Sequence, residues 1–248
     1  MISNDHLKRL NTADRPRVMH NLRPRDASSI VVIDNTGREP RMLVGKRHAD
    51  QVFVPNKFVF PGGRVDPSDS RLKAGDDLNP LERDKLLLEM KGRSSPNRAR
   101  GLALAAVREL FEETGLLIGR KHDGRCATKA SGWRDFLDFG YVPSVQPLTY
   151  FARAITPPRR PRRYDTRFFV AMAKDIALQP KSADGELTEL HWVTFSEARA
   201  FDLHVMTRTI VDEVEELLDA RARPRRRKTV PFYYEDRGTF QRTLLRVG

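Results

Sequence analysis

The segment Arg108-Glu109-Leu110-Phe111-Glu112-Glu113-Thr114-Gly115-Leu116 constrains this chain more than any other stretch of it. Its three glutamates stand at i, i+3 and i+4, so on an α-helix they share one face. Like charges at that spacing repel by roughly 0.2–0.5 kcal/mol per pair. A fully solvated helix face tolerates such repulsion. Here, however, the apolar run Leu102-Ala103-Leu104-Ala105-Ala106-Val107 precedes the acids. That run forms helix strongly, and a helix apolar nearly all round is buried. Buried acids at this spacing suit a hard divalent cation such as Mg²⁺, which takes oxygen ligands and keeps some of its waters. Gly115 falls where a helix ends in a left-handed residue. Upstream, Phe60-Pro61-Gly62-Gly63-Arg64-Val65-Asp66 carries a glycine pair whose backbone can approach a ligand closely. The pattern predicts a metal site acting on a phosphorylated substrate.

These segments resemble the Nudix hydrolase box, G-x5-E-x7-R-E-U-x-E-E-x-G-U, with U a bulky aliphatic residue. Arg108, Glu109, Leu110, Glu112, Glu113, Gly115 and Leu116 match its second half, and Gly63 matches its leading glycine. Asp69 stands where the pattern has its first glutamate. The arginine then comes 31 residues later than the pattern places it. Loop length costs little free energy, so an insertion between Asp69 and the helix is tolerable.

The resemblance implies an α/β fold, a Nudix-type α/β/α sandwich with a mixed sheet, and cleavage of a diphosphate bond joining a nucleoside to another group. It implies Mg²⁺ as cofactor, with Mn²⁺ as substitute. Glu109, Glu112 and Glu113 would be metal ligands, the carbonyl near Gly62 or Gly63 another, and Arg108 would orient the acids. A base often comes from a loop outside the box. The stretch Asp184-Gly185-Glu186-Leu187-Thr188-Glu189 offers Glu186 first and Glu189 second, against the alternative of a solvated turn. The glycine-pair segment, the insertion and Arg163-Tyr164-Asp165-Thr166-Arg167-Phe168-Phe169 look like the subgroup of animal Nudix motif 19 proteins. That subgroup implies coenzyme A or acyl-CoA as the leading substrate. Arg163, Arg167 and Arg47 are the candidate substrate contacts, and the run from Arg159 to Arg163 could meet a ribose 3′-phosphate. The alternatives are an ADP-ribose or NADH-type pyrophosphatase, or a non-catalytic Nudix protein that senses a nucleotide or binds nucleic acid.

Charge and cysteine usage narrow the setting. Residues 1–25 hold six Lys/Arg and two acids, and residues 221–248 hold nine and two. The stretch between is almost neutral. Basic ends can meet nucleic acid, but no aromatic-interleaved RNA-binding motif accompanies them, so the expected partner is a small nucleotide. The only cysteine is Cys126, which rules out an intrachain disulfide and a cysteine-based zinc site. No run is apolar and long enough to span a membrane and the first residues show no signal core, so a cytoplasmic location is expected. A homodimer is left open, with the insertion as one contact.

The expected organisation is a basic arm over 1–25, a domain over 26–222 with an insertion over 67–100, and a basic tail over 223–248. Alternation and turn residues predict strands at Ser28–Asp34, Arg41–Arg47, Leu116–Gly119, Leu148–Ile155, Tyr164–Met172 and Glu189–Thr194. Helices are predicted at Leu81–Met90, 100–114, Trp133–Phe139 and Thr207–Ala222, with Ser196 capping a short one.

Overall fold

The computed structural model describes residues 4–12, 21–48, 56–124, 128, 130–179, 187–219, 221 and 223–248. Helix α1 (Asn4–Thr12) precedes the strands β1 (Arg25–Asp34), β2 (Arg41–Arg47), β3 (Phe58–Val59) and β4 (Gly62–Arg64). Helices α2 (Pro80–Leu87) and α3 (Pro96–Thr114) follow, then β5 (Gly119–Lys121), α4 (Ser131–Asp138), β6 (Tyr141–Pro143), β7 (Thr149–Ile155) and β8 (Tyr164–Met172). The described chain closes with β9 (Leu187–Thr194), α5 (Phe195–Ala200), α6 (Val205–Leu217), β10 (Thr229–Asp236) and β11 (Thr239–Arg246).

Among the described residues the main sheet has nine strands in the order β11-β10-β7-β8-β1-β2-β3, with β4 on β1 and β9 on β2. β1 runs parallel to β8 and β10 parallel to β7, and the other pairings are antiparallel. One apolar cluster, including Leu104, Val107, Trp133 and Phe169, fills the face under α2, α3 and α4. A second, including Val31, Val44, Ile210 and Val214, fills the face under α5 and α6. Two helical layers on one mixed sheet make the expected α/β/α sandwich. Among the described residues no helix is long and apolar enough to cross a membrane.

α3 is the central helix. Ser95 caps its start by accepting the Arg98 N–H, Pro96 sits in the first turn, and Gly115 (φ 74°) ends it in the left-handed conformation.

Several expected elements lie elsewhere. The arm over 1–25 contains a docked helix, because Leu10 is buried against the α6 layer while Arg9 and His6 both reach Asp212. Residues 223–248 are not a free tail. They supply β10 and β11, and β10 extends the sheet from β7 through Phe232 and Tyr233. Their basic block is used internally. Arg225 and Arg227 donate to the carbonyls of Glu216 and Leu217 at the end of α6, while Arg226 points to Glu82 of α2. The strand expected at Leu116–Gly119 is β5, two to three residues on, in a separate two-stranded sheet with β6. Thr194, not Ser196, caps α5, because its hydroxyl and Glu197 form a reciprocal capping box.

The insertion is built into the fold. β7 carries a bulge between Tyr150 and Ala152. The Tyr150 N–H there donates to Glu82 Oε2 (2.8 Å), and the Tyr150 carbonyl accepts from Lys85 Nζ (2.5 Å). Glu82 and Lys85 are themselves paired at 2.7 Å and almost fully buried. Asp76 accepts the backbone N–H groups of Val145 and Gln146 and the Ser144 hydroxyl.

Candidate active site

The glycine pair and the acids of α3 meet on the same sheet face. β4 lies antiparallel on β1, with Gly63 opposite Ser28 and Gly62 opposite Ser29. Any side chain at 62 would press on Ser29 Cα, 2.7 Å from where a Cβ would stand, and on the Ser28 carbonyl. At position 63 a Cβ would strike the Glu109 carboxylate. Glycine at both positions therefore lets the α3 acids lie directly on the β4 backbone. The Gly62 N–H donates to Glu113 Oε2 at 3.0 Å, and Glu113 is buried.

Arg108 organises the rest. Its Nη1 lies 2.8 Å from Glu109 Oε1 and 2.6 Å from Glu112 Oε2. Its Nε and Nη2 donate to the two oxygens of Asp69 at 2.9 and 3.2 Å, and Nη2 also reaches the Arg64 carbonyl at 2.9 Å. Asp69, at the box position of the first glutamate, is thus brought back to Arg108 across the insertion.

The electrostatics follow from crowding. Burial pushes Glu109 up to about 7, the charges of Glu112 and Asp69 add to the rise, and Arg108 opposes it. Burial also raises Glu112, again against Arg108. For Arg108 burial disfavours the charge, but the Asp69 bond and the charges of Glu109, Asp69 and Glu112 outweigh it and hold the guanidinium firmly protonated. Three carboxylates around one guanidinium leave a deficit of positive charge. Hard oxygen donors with that deficit fit a divalent cation. As they stand, no three acids converge on one point among the described residues, since Arg108 draws Glu109 and Glu112 toward itself.

Of the other candidates, Glu189, Arg163 and Arg167 are engaged in other contacts. Glu186 lies outside the described residues. Glu189 pairs with Lys46 at 2.9 Å, and Lys46 stands over Phe58. It leaves β9 on the side of Val193, facing the α5–α6 layer, whereas Trp192 packs on the α3 face. Strand alternation therefore places Glu189 across the sheet from the box acids, a correction to its expected role. Arg167, expected as a substrate contact, is fully buried in ion pairs with Asp26 (3.0 Å) and Asp165 (3.1 Å). Strand alternation turned its side chain inward, where two aspartates offset the charge. Arg163 is committed to the Thr156 and Leu22 carbonyls and to Asn21. Arg47 ends β2, its N–H bonded to the Lys57 carbonyl.

Sequence reasoning missed two contributors. Trp133 Nε1 donates to Asp69 Oδ1 at 2.9 Å. Gly132 lies so close to Arg108 and Glu112 that a Cβ there would meet both. A glycine followed by a tryptophan at a helix start was the available signal.

The chain is thus a mixed-sheet α/β/α sandwich whose central helix lays a crowded carboxylate face on a glycine-pair strand. The NUDIX domain model matches residues 99–231, and the chain belongs to that family. The match begins at the end of the insertion and leaves out the glycine pair, which joins the site through the β4–α3 geometry. The chain is similar to "Putative nudix hydrolase 7" of Caenorhabditis elegans, 29% identical over 181 residues, covering 68% of this chain and 51% of that protein. It is also similar to "Acyl-coenzyme A diphosphatase NUDT19" of Xenopus laevis, 23% identical over 223 residues, covering 66% and 55%. The chain thus spans about half the length of these curated relatives. A solved NUDIX hydrolase from Alicyclobacillus acidocaldarius superposes with a TM-score of 0.55 at 23% identity, covering 77% of this chain and 90% of that one, a likeness of fold.

Proposed function

We propose that this chain hydrolyses a diphosphate bond in a nucleoside diphosphate joined to another group, with Mg²⁺ as cofactor and Mn²⁺ as a working substitute. One observation carries the reading: Arg108 holds Glu109 and Glu112 while the Gly62 N–H holds Glu113, which seats all three acids of α3 beside the glycine-pair strand. Glu109, Glu112 and Glu113 would hold the cation, with a carbonyl of the glycine pair as a further ligand. When bound, such a cation neutralises phosphate charge and lowers the pKa of a coordinated water.

The chain's own groups supply position. Arg108 sets the spacing of Glu109 and Glu112. The Gly62 N–H fixes one oxygen of Glu113. Glu186 is our choice as proton acceptor, because in sequence it stands immediately before β9.

Coenzyme A or an acyl derivative is the leading substrate. The sequence resemblance supports it, as does the name of the Xenopus relative. The test is product analysis with Mg²⁺ and Mn²⁺: release of 3′,5′-ADP from coenzyme A against AMP from ADP-ribose, alongside Glu113→Gln. The expected result is 3′,5′-ADP from a coenzyme A species, and a loss of two or more decades in the variant. AMP from ADP-ribose with no 3′,5′-ADP would move the substrate to the ADP-ribose class.

A further inference from the structure

All four acceptor directions of Asp69 are filled. Oδ1 accepts from Arg108 Nε and from Trp133 Nε1, both at 2.9 Å. Oδ2 accepts from the Asp66 N–H at 2.8 Å and from Arg108 Nη2 at 3.2 Å. An ionised carboxylate offers about four such directions, and Asp69 is fully buried. A carboxylate saturated in this way does not ligate a metal. It fixes the plane of the guanidinium that it grips.

Three of these four bonds come from residues within or beside the box. The fourth comes from α4, a separate element. Trp133 is itself immobilised: it is fully buried and packs edge-to-face on Phe136 with ring centroids 5.3 Å apart. Gly132, its neighbour, lets the first turn of α4 lie against Arg108 and Glu112.

We propose that Trp133 is a positioning residue for the metal-binding acids, acting through Asp69 to fix Arg108 and thereby the separation of Glu109 and Glu112. The inference rests on the metal reading of the site given above. It adds that α4, outside the family box, helps to set the affinity of the site for its cation. Outer hydrogen-bond partners of metal ligands typically tune affinity by 10–100-fold.

The experiment measures Mn²⁺ binding by titration calorimetry on the full chain. It compares the wild type with Trp133→Phe, Asp69→Ala, the double variant, and Trp192→Phe as a control for losing a tryptophan. Trp133→Phe keeps the ring and removes only the donor. It should weaken Mn²⁺ binding about tenfold, while Trp192→Phe leaves binding unchanged. In the Asp69→Ala background the Trp133 substitution should add nothing, because the acceptor of its N–H is gone. Wild-type affinity in Trp133→Phe overturns the inference and leaves the metal site standing, and so do losses that multiply in the double variant. A wild type that binds no Mn²⁺ overturns both. Should Trp133→Phe not fold, the indole N–H resonance of ¹⁵N-labelled Trp192→Phe protein serves instead. It should move when Mg²⁺ saturates the site, and a resonance that stays fixed overturns the inference.

Discussion

Glu82 of the insertion accepts the backbone N–H of Tyr150, 68 residues along the chain, at 2.8 Å inside the fold. Lys85 holds the carbonyl of the same residue. Beside the bulge in β7, a buried ion pair from α2 satisfies both groups. Burial lowers the Lys85 pKa, and Glu82 is the group that opposes the drop. Glu82→Ala would leave the lysine without that partner, a loss of about 3–5 kcal/mol. Urea unfolding of wild type and variant measures it. A loss below 1 kcal/mol would mean that α2 is a detachable decoration.

Gly62→Ala should fail for a different reason. The added methyl meets the Ser28 carbonyl and Ser29 Cα, both backbone atoms that cannot swing aside. Overpacking of this kind costs about 1–3 kcal/mol. It also displaces the N–H that holds Glu113. Activity should therefore fall further than the thermal melt alone accounts for.

Arg108→Lys keeps the charge and loses the fork. A lysine cannot grip both oxygens of Asp69 while reaching Glu109 and Glu112. We expect a drop in kcat of about 100-fold, the scale of misplaced catalytic groups, with a fold intact by circular dichroism. Rescue to within threefold of wild type would deny the guanidinium geometry any role.

The pH dependence has a definite sign. Burial raises Glu109 from its ordinary 4.5 to about 7 in the metal-free fold. Between those values the unfolded chain gives up the proton and the folded one keeps it. The stability linked to Glu109 is therefore complete below pH 4.5 and declines as pH climbs to 7, by roughly 3 kcal/mol at most. Glu109→Gln should flatten that decline in melts taken from pH 4.5 to 8. Adding Mg²⁺ at pH 6.5 should release protons, detectable in a weakly buffered solution.

A chain ending at Lys228 would test the hairpin. It would lose β10 and β11 and uncover β7, an interior strand with every residue buried. We expect aggregation rather than a trimmed soluble enzyme, read by size-exclusion chromatography.

Strands bounded by turn residues on both sides were legible in the sequence, and Arg41–Arg47 and Tyr164–Met172 emerge with the expected ends. The acids of α3 were equally plain, since their spacing survives any loop before them. The hairpin was hidden because Pro231 and the basic run before it argue against a strand. Its signal lay in Arg237-Gly238, both with positive φ (47° and 84°), the backbone of a tight hairpin turn in less usual residues. Partners distant in sequence left no trace. Nothing in the periodicity of Glu82 and Lys85 distinguishes a solvated helix face from a buried pair. Likewise, nothing around Arg167 announces Asp26.

The parallel contact of β10 with β7 also sets an order of events at the ribosome. β7, β8 and the whole of α3 emerge well before the strand that seals them. Until residue 236 has been polymerised, the nascent molecule carries an open, apolar sheet margin. Holding that margin apart from its neighbours falls to chaperones or to the speed of translation, so slow codons between α6 and β10 would lower soluble yield without altering a single amino acid.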